Sequence, residues 1–165
     1  MPWMGAAEPD WDAVYADQLP RVYNYFRYRL GNEAAAEDLT SRTFEKAWAA
    51  RRRYRRDLAG FGTWLLSIAR NVAIDHLRAD RRHAPLSAAL DVADGATPED
   101  DLASQSDLAR LAALMRRLSA REQELLALKY GAGATNRSIA EVTGLSESNV
   151  GTIVCRAVQV LREQW

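Results

Sequence analysis

Apolar residues along the chain recur three and four positions apart, and strand-like alternation is scarce. That period predicts helices throughout. The first run covers about residues 11–30. It reads as a helix pair or one bent helix, with Pro20 as the irregularity because proline removes a backbone donor. The stretch "LGNEAAAEDL" supplies a stop at Gly31 and a restart at Asn32, whose side chain can cap the next helix. That helix extends to about Arg51, with Ala36, Leu39, Thr43, Phe44, Ala47 and Trp48 near helical spacing. Charge and glycine in "RRRYRRDLAGFG" break the pattern. A third long helix follows, from about Phe61 to Arg81.

From His83 to about Ser106 the text is "HAPLSAALDVADGATPEDDLASQS", acidic and punctuated by Pro85, Gly95 and Pro98. It reads as a linker with room for a short helical turn. Four more helices are predicted, at 107–118, 121–130, 136–143 and 147–162. Ser119 followed by Glu122 forms a capping box before the second of these, and Ser146 caps the last. The Gly144-Leu145-Ser146 turn before the final helix is the usual joint of a helix-turn-helix. The predicted fold is all-α, with two small helical domains joined by a flexible linker and a helix-turn-helix in the second. The boundaries are 10–82, 83–106 and 107–165.

Composition narrows the function classes. The chain has 165 residues, 48% hydrophobic and 27% charged, enough to build a core. No run of about 18 or more apolar residues exists, and the acidic start "MPWMGAAEPDWD" is unlike a signal peptide, so an intracellular, cytoplasmic protein is expected. Cys155 is the single cysteine, which leaves no internal disulfide and no metal-ligand cluster. No phosphate loop or nucleophile–base pattern appears; neither an enzyme nor a bound cofactor or metal is expected. Formal net charge is zero, but it is unevenly placed. Residues 21–82 hold fourteen bases against seven acids and residues 110–165 eight against five, whereas 83–109 hold six acids and no Lys or Arg. Two basic blocks flank an acidic one, so each can face phosphates while the acidic segments point elsewhere.

On a helical wheel, Phe61, Trp64, Leu65, Ile68, Val72 and His76 form a core stripe of the third helix. Ser67, Arg70, Asn71 and Arg78 lie opposite, with Ile74 among them. Such a face can hold phosphates through arginine and reach a base edge through asparagine; from the residues alone, a solvated helix face fits equally well. In the last helix Val150, Val154, Ala157, Val158 and Leu161 point inward. Ser148, Asn149, Thr152, Arg156 and Gln159 point outward, and Ile153 and Val160 lie on the flank.

The segments "AAAEDLTSRTFEKAW" and "FGTWLLSIARNVAIDHLR" resemble the second conserved region of a bacterial sigma factor. The segment "LSAREQELLALKYGAGATNRSIAEVTGLSESNVGTIVCRAVQVLR" is similar to the fourth. Together they cover just under half of the chain, in the order of the extracytoplasmic-function group, which keeps only these two regions. The ordered pair is more specific than either motif alone.

The resemblance implies an RNA polymerase subunit that directs promoter-specific initiation. Asp38, with Ser41 and Arg42 beside it, would meet the clamp of core polymerase; family members often carry Gln-Glu where this chain has Ser41-Arg42. The third helix would bind the non-template strand of the minus-ten element through Ser67, Arg70, Asn71, Asp75 and Arg78. Arg55 and Arg56 would join them from the loop through Gly62 that matches the one holding a flipped-out base. The outward residues Ser148, Asn149, Thr152, Arg156 and Gln159, with Arg137 on the preceding helix, would read the minus-thirty-five element. Basic residues common in the family at the positions of Ile153 and Val158 are absent, so electrostatic help there is weak. An anti-sigma factor is a further implied partner. Two other readings stay open: a helix-turn-helix regulator that does not act as sigma, and a sigma-like protein-interaction module.

Overall fold

The computed structural model describes residues 10–83 and 102–165, and all the regular elements among them are helical. Helix α1 spans Trp11–Leu30, α2 Glu33–Ala49 and α3 Phe61–His83; α4 spans Leu102–Met115, α5 Ala120–Leu126, α6 Asn136–Thr143 and α7 Glu147–Gln164. A short 3-10 turn, Arg51–Arg53, follows α2, and a π-helical turn, Ala127–Gly131, continues α5.

Helix α1 is one continuous helix, not a pair. Pro20 lies inside it, yet Pro20 and Ala16, the residue whose carbonyl loses its partner, are both exposed. Water can therefore satisfy that carbonyl, and burial of Val22, Tyr25 and Phe26 on the other face holds the helix. Gly31 ends it in the left-handed conformation, at φ 69°, with its N–H donating to Arg27 O. The Asn32 side chain then accepts from Ala35 N at 2.9 Å and starts α2, as predicted. Trp48 departs from the helical-spacing reading and stays 52% exposed. Its ring packs edge-on against Trp11 and carries the Arg51 guanidinium 4.0 Å above it.

The first three helices bury Phe26, Leu39, Leu65, Leu66 and Ala69. In the second unit Leu125, Leu128, Ile139 and Val150 are fully or almost fully covered. Helix α4 begins at Leu102, within the segment read as linker; residues 84–101 of that segment lie outside the described residues. The capping box before α5 forms as predicted, with Ser119 N donating to Glu122 Oε2 at 2.8 Å and Glu122 N to Ser119 Oγ at 3.2 Å.

One hydrophobic cluster runs through both units. Helix α1 packs on the π-helical turn and α3 on α6. The first contact is backbone to backbone: a Cβ on Gly131 would stand 2.8 Å from Asn24 O, so only glycine permits the approach. Arg21 Nε donates to Ala132 O at 2.8 Å, and Arg29 Nη1 to Gln123 Oε1 at 3.0 Å.

Candidate nucleic-acid interface

The helix-turn-helix is assembled from local hydrogen bonds. Thr135 Oγ1 accepts from Ser138 N at 3.1 Å and opens α6. Gly144, at φ 78°, closes it, and Ser146 Oγ accepts from Asn149 N at 3.1 Å to open α7. Val150, Val154 and Ala157 of α7 are buried; Val158 and Leu161, read as inward, are half-buried at the edge of the core. Ser148, Asn149, Thr152, Arg156 and Gln159 are all exposed on the other side. Thr152 Oγ1 donates to Ser148 O at 3.1 Å, and Gln159 Nε2 to Glu163 Oε1 at 3.2 Å. Arg137 is exposed on α6, with its Nε 3.9 Å from Glu141 Oε1. The six residues thus lie on the outside of one helix-turn-helix. Ile153 and Val160 are half-buried against the core and supply less free apolar surface than the sequence suggests.

Helix α3 is covered over a wider arc than its predicted stripe. Leu65 and Val72 are buried as expected, but so are Leu66, Ala69 and Ala73. The reason is that α3 packs against three helices, α1, α2 and α6. His76 is partly covered, with Nε2 3.3 Å from Asp80 Oδ2. Phe61 and Trp64 pack against the core, and Tyr54 adds its ring to both.

The predicted minus-ten residues divide into two environments. Asn71, Asp75 and Arg78 are exposed. Ser67 and Arg70 are half-covered, and Arg70 Nε donates to Glu124 Oε1 of α5 at 2.5 Å. Arg55 and Arg56 stand exposed on the loop ahead of α3. Arg55 makes a two-pronged pair with Asp57, at 3.1 and 2.7 Å, which holds the Asp57 carboxyl below its ordinary range and raises the arginine. Tyr54 Oη donates to Ala59 O at 3.1 Å across the loop, whose Leu58 is 72% exposed.

On α2, Asp38, Ser41 and Arg42 are exposed, and Asp38 Oδ2 lies 2.9 Å from Arg42 Nη2. Ser41 borders a groove of about 380 Å³ between α1 and α2, lined also by Tyr15, Leu19, Pro20 and Tyr23.

Sequence reasoning missed Glu124, which is 8% exposed. Its Oε2 also lies 3.5 Å from Arg121 Nη1. The same carboxylate, with burial as the larger cause, pushes the Tyr25 phenol above its ordinary range. A carboxylate on the inward side of "REQELL" was the available signal, since buried acids need partners.

Residues 14–83 match the family described as Sigma-70 region 2, and residues 108–161 match Sigma-70, region 4. The chain belongs to the sigma-70 family, in its extracytoplasmic-function group. It is 34% identical over 151 residues to the ECF RNA polymerase sigma factor BldN of Streptomyces coelicolor, covering 90% of this chain but 57% of that one. It is 34% identical over 139 residues to a probable RNA polymerase sigma factor, RfaY, of Xanthomonas campestris, of which it spans 34%. The RNA polymerase sigma factor CarQ of Myxococcus xanthus is 28% identical over 157 residues, with 95% of this chain and 90% of that one covered. Among solved structures, the sigma factor RpoE of Bartonella quintana, crystallised with the anti-sigma factor NepR, superposes with a TM-score of 0.76 at 24% identity. The match covers 94% of this chain and 96% of that one, and carries the fold. In family terms α1 to α3 form region 2, and α4 to α7 hold region 4.

Proposed function

We propose that this chain is a sigma factor that binds core RNA polymerase and directs promoter-specific initiation in the cytoplasm. The observation that carries the reading is the ordered pair of regions, each with an exposed polar face at the place the reading needs. Asp38, Ser41 and Arg42 meet the polymerase clamp. Asn71, Asp75 and Arg78, with Ser67, Arg70, Arg55 and Arg56, hold the melted minus-ten strand. Arg137, Ser148, Asn149, Thr152, Arg156 and Gln159 enter the minus-thirty-five major groove, where the neutral polar groups contact bases and the arginines hold phosphate or guanine.

The protein itself does no covalent chemistry in this reading; it positions DNA and offsets the cost of unstacking bases. An anti-sigma factor is a fitting regulator, since the RpoE neighbour was crystallised with one. The direct test is co-migration of the purified chain with core polymerase, followed by core-dependent retention of promoter duplexes. Asp38→Ala is expected to weaken the first step. A chain that neither associates with core nor gives it promoter preference would be a regulator of another kind.

A further inference from the structure

We propose that Gln159 is the residue through which α7 selects an adenine of the promoter duplex, and that Glu163, one turn on, holds the Gln159 amide in the orientation that reads it. This rests on the sigma-factor reading and names the base that the reading helix takes.

The outward side of α7 is a line of exposed side chains at helical spacing, Ser148, Thr152, Cys155 and Gln159, ahead of Arg162 in the last turn. Val150, Val154 and Ala157 are buried on the opposite side, so this line is what α7 offers to a groove. The four groups differ in what they can read. Thr152 Oγ1 donates its only hydrogen to Ser148 O at 3.1 Å and is left with a methyl and a lone pair. Ser148 and Cys155 each end in a single polar atom. Gln159 is the one of the four that carries a donor and an acceptor side by side. Adenine presents the complementary pair in the major groove, with N7 accepting and N6–H donating, whereas guanine presents two acceptors, N7 and O6.

An amide free to flip would offer its oxygen and nitrogen in either order. Gln159 is held instead, with Nε2 donating to Glu163 Oε1 at 3.2 Å. A carboxylate only accepts, so the nitrogen must face Glu163, and the second amide hydrogen stays available beside Oε1. The end of a helix ordinarily frays, but this one is fastened to α4. Arg110 donates to Trp165 O and lays its guanidinium 4.9 Å from the Trp165 ring centre, and Arg117 Nη1 donates to Gln164 Oε1 at 3.5 Å. Glu163 therefore sits on an anchored turn. Its negative charge also disfavours a phosphate beside Gln159, which directs the pair to base edges.

In the test, the full chain bound to core polymerase selects from promoter duplexes randomised through the minus-thirty-five element. Wild type is expected to enrich adenine at one base pair where Gln159→Ala does not, with the ratio of adenine to guanine there falling about tenfold or more. Glu163→Ala is expected to lower the same ratio about threefold or more, and Glu163→Gln, which keeps an acceptor for Nε2, to restore it. Replacing that adenine with 7-deazaadenine, which lacks the N7 acceptor, is expected to weaken the wild-type holoenzyme and to leave the Gln159→Ala holoenzyme unchanged. A purely structural role for Glu163 would change affinity on all sequences alike and leave the ratio untouched. That result would overturn the proposal, as would wild-type base preferences in Gln159→Ala. If the holoenzyme retains no duplex better than core polymerase alone, the sigma-factor reading itself falls, and this proposal with it.

Discussion

Asn71 and Arg156 occupy opposite ends of the proposed DNA contact, and each has its own readout. Asn71 is exposed on α3 and lies outside the covered part of that helix. Asn71→Ala is expected to weaken promoter opening more than core binding, as seen by permanganate reactivity of unpaired thymines; equal melting would remove Asn71 from the site. Arg156 is the one basic residue on the outward face of the middle turns of α7. If Arg156 grips a guanine, Arg156→Ala costs about 1–3 kcal/mol of discrimination at one base pair. If it holds a phosphate, affinity falls on all sequences and the salt slope flattens. Titrations on matched and altered minus-thirty-five duplexes at several salt concentrations separate the two. At this scale the sequence was legible wherever a residue's environment is set by its own helix. The five outward residues of α7 all emerged exposed, and Asn32, Ser119 and Ser146 all cap. Arg70 was not legible, because its partner lies 54 residues away and no local pattern encodes that distance.

At the scale of elements, the turn between α6 and α7 sets the angle at which α7 would be offered to DNA in the proposed function. Gly144 holds a left-handed conformation there, and a Cβ on it would meet nothing within 4 Å. Any penalty for Gly144→Ala is therefore conformational, not steric, and is expected to be about 1–2 kcal/mol in chemical denaturation. A change of only a few tenths would mean that the turn relaxes into another shape. Element existence followed from periodicity and caps; element ends and details did not. Helix α4 starts at Leu102 inside an acidic stretch whose charge reads as linker. The π-helical turn at Ala127–Gly131 answers to its packing against α1, where Gly131 meets Asn24. Pro20 signalled a break that the helix avoids by placing the lost hydrogen bond in water.

The two regions share one hydrophobic core, which the sequence presents as two separate runs because helical periodicity carries no information about which faces meet. Shared burial couples their stabilities. Leu65 is fully buried in region 2, and Leu65→Ala is expected to cost about 2–5 kcal/mol. The loss should also appear as faster amide exchange in α7, although α7 belongs to region 4. Exchange that rises only in α1 to α3 would mean that the units unfold independently. The proposed function asks both regions to work at once on one DNA, through faces that no single helix provides. The measurement that bears most directly on that claim is transcription by core RNA polymerase on fragmented genomic DNA, with transcript starts mapped, in the presence and absence of this protein. The expected result is a discrete set of starts that appear only with the protein, are preceded by shared sequences near minus ten and minus thirty-five, and are lost with Asn71→Ala. An unchanged pattern of starts, despite a folded protein and active core enzyme, would contradict it.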